Sequence, residues 1–255
     1  MIVLRSALFN IVFFSISLVM TLYASLVRIV APDRVIGVAM LWARTLVVAV
    51  RIICGIRLEI SGLEHIPPGP ALIASRHQSA FDTFVWLTLL PRCCYVFKDE
   101  LLRIPLFGPL ISVAGMIAVD RKAGAAAIRA LSRQAERAVR EQRQIVIFPE
   151  GTRSEPGHPG SLQSGIAALA SRTGLPVIPV STNSGRYWGR RAFRKQPGTI
   201  RIVIGAPIPA QTERKALMRA LRHGMDVIDH EREDDGAPDP YNAVENSVRA
   251  SGSRL

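Results

Sequence analysis

The stretch Ile145–Ser154, IVIFPEGTRS, contains the plainest strand signal in this chain. Ile145–Phe148 is continuously apolar and rich in β-branched residues, which predicts a strand buried on both faces of a sheet. Pro149 has no amide hydrogen for a strand ladder, so we expect the strand to end there. The turn that follows carries a carboxylate, a hydroxyl and a guanidinium. It is either a functional loop at the end of a buried strand or a simple turn with solvated charges.

On both sides of this stretch the sequence alternates between strand and helix patterns. Predicted strands cover Ile56–Ile60, Ala71–Ser75, Cys93–Phe97, Gly115–Val119, Pro176–Ser181 and Thr199–Ile204, and predicted helices cover Phe81–Leu90, Gly124–Arg143, Leu162–Arg172 and Gln211–His230. The alternation predicts an α/β layered sandwich with a mostly parallel or mixed central sheet over residues 55–232. The polar residues 233–255 are expected to form a flexible tail.

Residues 1–54 differ from the rest and are predicted to form two hydrophobic helices that attach the chain to a membrane. Ser6–Val27 holds 22 residues without a charge, and as a helix it would measure about 33 Å against a hydrocarbon core of about 30 Å. Val35–Val50 is apolar apart from Arg44. A signal peptide is the rival interpretation, but the first run is longer than a typical signal core and no clear cleavage site follows it.

The arginines of this segment indicate its orientation. Only Arg5 precedes the first apolar run, and the others follow it. If the first helix spans the inner membrane, this bias places the remaining chain and its active site on the cytoplasmic side. A helical pair that lies in the cytoplasmic leaflet fits the sequence equally well.

The composition favours anionic partners. Lys and Arg number 32 against 20 Asp and Glu, a formal net charge of +12, which attracts nucleic acid, anionic lipid or a phosphorylated substrate. Arg186–Lys195, RYWGRRAFRK, interleaves aromatic and basic residues. Beside an apolar N-terminal segment this pattern favours membrane lipid over nucleic acid, and a solvated loop is the alternative. Cys54, Cys93 and Cys94 have no CxxC spacing, so we expect a reduced protein without disulfides or a zinc site.

A second polar cluster follows the predicted strand Ala71–Ser75. His77 comes directly after that strand, and Asp82 stands five residues later, where the next helix begins. On one ideal helix their side chains would point about 140° apart, so they can meet only if His77 lies in the strand-to-helix turn. A carboxylate on one ring nitrogen fixes the imidazole tautomer, and the other nitrogen can then accept a proton from a hydroxyl. A surface histidine and a helix-capping aspartate are the alternative.

Two arginines are expected at the same rim of the sheet. Arg121 ends the segment GMIAVDR, and Arg153 lies in FPEGTRS. Guanidinium groups bind phosphate in a bidentate manner, so two that converge would form an oxyanion pocket.

The order HQSAFD, KDELLRIPLFG, GMIAVDR, FPEGTRS and VIPVSTNSG, over about residues 55–210, resembles the glycerolipid acyltransferase family. The resemblance implies acyl transfer from acyl-CoA or acyl carrier protein to the sn-2 hydroxyl of 1-acyl-sn-glycerol 3-phosphate (lysophosphatidate), which gives phosphatidic acid. It implies no metal and no resident cofactor. It also implies a general base with its orienting carboxylate, His77 and Asp82, and a set of acceptor-binding residues, Arg121, Glu150, Gly151, Thr152 and Arg153.

The sequence departs from the family pattern in two places. Arg76 stands where the family usually has Asn, which puts a cation beside the base, and Leu162–Gly165 reads LQSG where many members have an aromatic-Lys-x-Gly sequence. The second departure leaves substrate preference open. Two alternatives therefore remain: an acyltransferase for another lysolipid, such as a lyso-ornithine lipid, and a non-catalytic basic protein that binds lipid or nucleic acid.

Two further groups of residues near these motifs are not assigned a role in catalysis. Ser79, Cys93 and Cys94 have no sequence context that favours a covalent nucleophile. Ile104–Leu110, IPLFGPL, either lines a channel for an acyl chain or packs as a core loop.

Overall fold

The computed structural model describes residues 1–120 and 123–234, and its centre is a mixed sheet. The strands described are β1 (Ile56–Ser61), β2 (Leu72–Ser75), β3 (Cys93–Lys98), β4 (Ile117–Val119), β5 (Gln144–Ile147), β6 (Val177–Thr182) and β7 (Gly198–Ile204). Their order across the sheet is β1-β7-β6-β2-β5-β3-β4. Neighbouring strands run parallel except β6 and β7, which are antiparallel. The predicted α/β class with a mostly parallel, mixed sheet is confirmed.

The helices cover the predicted segments and two short segments that were not predicted. They are α1 (Ile2–Val30), α2 (Val35–Ala49), α3 (Asp82–Leu89), α4 (Phe107–Val113), α5 (Ala125–Arg140), α6 (Gly165–Thr173), α7 (Ser184–Tyr187) and α8 (Arg214–Asp234). Helix α4 overlaps Ile104–Leu110, which we expected to be a loop, and it forms although Gly108 and Pro109 are weak helix formers. Helix α6 begins three residues later than expected. The predicted tail begins inside α8, and residues 235–255 lie outside the described part of the chain.

Helices cover both faces of the sheet, which accounts for the continuously apolar strands. In β2, Ile73 belongs to the cluster formed with α1, α2 and α3, whereas Leu72 and Ala74 belong to the cluster formed with α5, α6 and α8. The same division applies to β5, where Val146 faces the first cluster and Ile145 the second. Because successive strand residues point to opposite faces, a strand in the middle layer must be apolar at every position.

The connections around β2 and β5 open a crevice at their carboxyl ends. These two strands are parallel neighbours. The chain leaves β2 towards α3 on one face and leaves β5 towards α6 on the other face. Loops that diverge in this way leave a binding crevice outside the strand ends, and both polar sequence motifs lie in these two loops.

Helices α1 and α2 pack against each other and against the α/β domain. Near the start of α1, the Ser6 hydroxyl accepts a hydrogen bond from the Lys195 amide (2.9 Å), and Phe9 contacts Trp188. Near its end, Ala24 packs in a cluster with Leu110 of α4. The segments Ile2–Val30 and Pro32–Cys54 are each long and apolar enough to cross a membrane.

Candidate active site

His77 and Asp82 meet in the turn between β2 and α3. His77 Nδ1 lies 3.2 Å from Asp82 Oδ2. The same carboxylate oxygen accepts hydrogen bonds from the main-chain N–H groups of Gln78 (2.7 Å) and Ser79 (2.8 Å). These bonds hold the carboxylate at the start of α3, where the helix dipole also favours a negative charge. Asp82 therefore orients the imidazole and fixes the turn before α3, whereas no described side chain caps the first turn of this helix.

The FPEGTRS loop is hydrogen-bonded to both the N–H and the carbonyl oxygen of His77. The His77 N–H donates to Glu150 Oε2 at 3.3 Å, and the His77 carbonyl oxygen accepts from the Ser154 N–H at 2.8 Å. Glu150 is 5% exposed, and its other oxygen accepts from the Gly160 N–H at 3.0 Å. The two sequence motifs are thus one hydrogen-bonded unit across adjacent strand ends.

The imidazole of His77 lies against an aromatic wall. Its ring stacks on Phe148, with centroids 4.1 Å apart and planes inclined by 20°. Phe148 in turn lies beside Tyr95, whose hydroxyl donates to the Asp82 carbonyl oxygen at 3.4 Å. Nδ1 faces Asp82, and the described residues provide no hydrogen-bond partner for Nε2. Nε2 is therefore the nitrogen available to a substrate hydroxyl.

A cavity of about 640 Å³ extends from His77 to the N-terminal helices. Its apolar part is formed by α1, α2 and α4, with residues that include Met20, Trp42, Phe107, Leu110 and Ile111. A cavity of this size and polarity suits an acyl chain, because apolar walls remove hydrocarbon from water without requiring hydrogen bonds. Two residues of the segment Ile104–Leu110, Phe107 and Leu110, line it.

Basic side chains line the cavity near His77. They are Lys98 at the end of β3, Arg153 in the FPEGTRS loop, and Arg190 and Arg191 after α7. The Nε atom of Arg153 is buried and has no hydrogen-bond partner among the described residues. Burial lowers the pKa of the Arg153 guanidinium, Asp82 acts against this shift, and Arg190 adds to it. A group of neighbouring cations of this kind favours an anionic ligand.

The other reactive side chains near the site, Ser79, Cys93 and Cys94, are occupied or buried. The Ser79 hydroxyl accepts a hydrogen bond from the Phe81 N–H at 3.1 Å, which fixes the turn before α3. Burial raises the pKa of the Cys94 thiol to about 11 and that of Cys93 well above its ordinary value. Because the thiolate is the reactive form of cysteine, these thiols are inert at neutral pH. In residues 1–120 and 123–234, no three His, Cys, Asp or Glu side chains gather as a metal-binding group.

Only some of the predicted acceptor-binding residues that the structure describes line the cavity. Gly151, Thr152 and Arg153 line the cavity, whereas the carboxylate of Glu150 is held behind it by protein donors. Gly151 has φ +73°, a conformation that glycine adopts without strain. Arg121 lies outside the described residues. The sequence reasoning missed Lys98, Arg190 and Arg191 as cavity residues. The position of Lys98 at the end of a strand was the only signal available for it.

The sequence model of the acyltransferase family matches residues 57–183, a range that includes both the His77–Asp82 turn and the FPEGTRS loop. A protein from Pseudomonas aeruginosa, named 1-acyl-sn-glycerol-3-phosphate acyltransferase, is 39% identical over 172 residues, which are 68% of this chain and 67% of that protein. The chain belongs to the acyltransferase family.

Two further relatives extend the comparison. The human protein named 1-acyl-sn-glycerol-3-phosphate acyltransferase alpha is 30% identical over 200 residues, or 76% of this chain and 71% of that protein. The crystal structure of a 1-acyl-sn-glycerophosphate acyltransferase from Thermotoga maritima superposes with a TM-score of 0.71 and 21% identity, and it covers 93% of this chain and 99% of its own. This likeness includes the two N-terminal helices together with the sheet, so the fold as a whole is that of the solved enzyme.

Proposed function

We propose that the chain transfers an acyl group from an acyl thioester to the sn-2 hydroxyl of 1-acyl-sn-glycerol 3-phosphate, forming phosphatidic acid. The observation that carries the proposal is the placement of His77, whose Nδ1 is bound to Asp82 at 3.2 Å, on the wall of a cavity with apolar and cationic parts. The acyl chain of a thioester donor and the hydroxyl and phosphate of the acceptor match those three features. The names of the relatives from Pseudomonas aeruginosa and human support the same acceptor.

In the proposed reaction, His77 is the general base. Nε2 accepts the proton of the sn-2 hydroxyl as its oxygen attacks the thioester carbonyl carbon, and Asp82 stabilises the imidazolium that forms. The tetrahedral intermediate then collapses, the carbon–sulfur bond breaks, and the imidazolium returns the proton to the departing thiolate. One base thus serves both steps, and no acyl-enzyme intermediate is required.

We assign the acceptor phosphate to the cationic part of the cavity. Arg153 is the central group because its Nε is buried without a described partner, and a bound phosphate oxygen would satisfy that donor. Gly151 and Thr152 line the cavity on the same loop, and Lys98 also lines it. Glu150 supports this loop and the base through its hydrogen bonds to protein rather than by contact with the ligand. Arg121 remains a predicted further contact.

The acyl donor is proposed to be acyl-CoA or an acyl carrier protein, with no resident cofactor. The apolar cavity accepts hydrocarbon irrespective of the carrier. Acyl-CoA carries phosphates and a carrier protein would approach as a larger partner, and both require a basic surface at the cavity mouth. Arg190 and Arg191, which line the cavity next to Arg153, provide such a surface.

We propose that α1 and α2 lie in the cytoplasmic leaflet of the inner membrane and do not cross it. The outer face of α1 is apolar and exposed, with residues that include Leu8, Ile11, Phe14, Leu18 and Leu22. Both ends of α1 nevertheless pack on the α/β domain, through Ser6 and Phe9 at one end and Ala24 at the other. A helix held along the domain at both ends cannot cross a bilayer while the domain stays on one side.

The test is acyl transfer by protein purified in detergent, with lysophosphatidate or a lyso-ornithine lipid as acceptor. Acyl-CoA and acyl carrier protein donors would be compared in parallel, together with the His77→Ala and Arg153→Gln variants. We expect phosphatidate from the wild type, none above background from His77→Ala, and a raised KM for lysophosphatidate in Arg153→Gln. Activity on the lyso-ornithine lipid alone would refute the phosphate assignment, and no activity on either would refute the enzyme proposal.

A further inference from the structure

The residue before the base, Arg76, is buried and faces two carboxylates from distant parts of the chain. Its side chain is 1% exposed. Its Nη2 lies 2.9 Å from Asp226 Oδ1, and its Nε lies 3.9 Å from Glu150 Oε1. A charge buried to this degree is stable only when opposite charges are placed beside it. The cation that replaces the usual Asn of the family is thus part of an ion network and is not directed at a substrate.

Glu150 connects this network to the catalytic base. Its Oε2 accepts hydrogen bonds from the His77 N–H at 3.3 Å and from the Ser154 hydroxyl at 3.1 Å, and its Oε1 accepts from the Gly160 N–H at 3.0 Å. The main-chain position of His77 therefore depends on where the Glu150 carboxylate lies. Arg76 is the cation that attracts that carboxylate from the opposite side.

Helix α8 holds the network at two points one turn apart. Asp226 pairs with Arg76, and Arg222, four residues earlier on the same face, donates to the Gly160 carbonyl oxygen at 2.7 Å. The Gly160 N–H is itself bonded to Glu150. A helix far from the base in the sequence thus contacts both the guanidinium and the loop that surround the same carboxylate.

We propose that Asp226 is a positioning residue for acyl transfer, acting through Arg76 and Glu150 on the main chain of His77. Asp226 draws the Arg76 guanidinium towards α8. Without its negative charge, the guanidinium moves towards Glu150 and competes with the His77 N–H for the carboxylate. The base then loses its alignment with Asp82, although neither residue of that pair has been changed. This inference rests on the proposed role of His77 as the general base.

Asp226→Asn is the direct test, with kcat and KM measured for acyl transfer from acyl-CoA to lysophosphatidate. We expect kcat to fall by about tenfold, as a misplaced base loses part of its catalytic contribution, while KM for lysophosphatidate stays within about twofold of the wild type. Glu136→Gln is the matched control, because it removes one exposed carboxylate on α5 and leaves α8 and Arg76 unchanged. Its kcat should equal that of the wild type.

A double-mutant cycle of Arg76 and Asp226 distinguishes a positioning role from a simple loss of stability. Arg76→Asn should also lower kcat, and the Arg76→Asn/Asp226→Asn double variant should be more active than the product of the two single losses, because neither charge is then left unbalanced. If Asp226→Asn does not fold, Arg76→Lys serves instead: an ammonium cannot span both carboxylates, so kcat should fall with KM unchanged.

Wild-type kcat in Asp226→Asn or in Arg76→Lys, or losses that simply multiply in the double variant, would overturn the inference. An inactive wild-type protein would instead refute the proposed function.

Discussion

The replacement Asp82→Asn isolates the charge of the orienting carboxylate from its shape. In the native turn, Asp82 Oδ2 accepts from His77 Nδ1 and from the N–H groups of Gln78 and Ser79. An asparagine must place its carbonyl oxygen at that position, because its NH₂ group would face two main-chain donors there. The turn and the side-chain position should therefore persist, and the principal loss is the negative charge.

The expected loss follows from the 3.2 Å separation of Asp82 Oδ2 and His77 Nδ1. An opposite charge so close stabilises a charged partner by about 1.4 to 4 kcal/mol. The imidazole carries its positive charge only after it has accepted the substrate proton, so this energy is lost from the transition state. We expect kcat to fall by about 10- to 1,000-fold with little change in KM.

The assay is the release of free thiol from acyl-CoA in the presence of lysophosphatidate, measured at saturating concentrations of both substrates. Glu64→Gln, which removes an exposed carboxylate outside the site, is the control for loss of charge alone. Thermal unfolding in detergent establishes that the variant is folded at the assay temperature. A folded Asp82→Asn protein with kcat within about twofold of the wild type would refute the role given to the carboxylate.

Three further outcomes are expected from the structure. Cys93→Ala and Cys94→Ala should keep kcat within about threefold of the wild type, because burial holds the thiol pKa of Cys94 at about 11 and only about one thiol in a thousand is ionised at pH 8; a hundredfold loss would indicate a catalytic thiol. Trp188→Ala should lower the free energy of unfolding, measured by denaturant titration, by about 3 to 5 kcal/mol. The reason is that Trp188 is 7% exposed and its ring packs edge-on against Phe9 with centroids 5.2 Å apart. Trp188→Phe should lower the free energy of unfolding less. Leu110→Trp should shorten the apolar cavity, so the kcat/KM ratio of palmitoyl to lauroyl donors should fall by about tenfold or more, and an unchanged ratio would place the donor chain elsewhere.

The strands and most helices follow from the sequence because their signals are local. Ile145–Phe148 is apolar at every position, which is typical of the middle layer of a sandwich, and β5 occupies Gln144–Ile147. Helix α4 was not predicted, because Gly108 and Pro109 weaken the local helix signal and packing of the helix against α1 offsets that weakness.

The His77–Asp82 contact was also open to prediction, since five residues and one strand-to-helix turn separate the two side chains. The family resemblance of FPEGTRS supplied the association between the two loops. The bonds between them, from the His77 N–H to Glu150 and from the Ser154 N–H to the His77 carbonyl oxygen, appear only in the structure. These bonds form because β2 and β5 are adjacent parallel strands. The order of strands in a sheet cannot be predicted from any one segment of the sequence.

The sequence by itself determined the layer class, the apolar N-terminal helices and the two motifs that form the site, because hydrophobic periodicity and short spacings act over a few residues. Only the tertiary structure decided which side chains share the cavity and what Arg76 does. Arg190 and Arg191 line the cavity because the chain after β6 passes beside it, and Asp226 reaches Arg76 because α8 packs on the sheet next to β6. Such pairings depend on how whole helices and strands are placed relative to one another. Burial of the common core sets that placement, and no local sequence pattern predicts it.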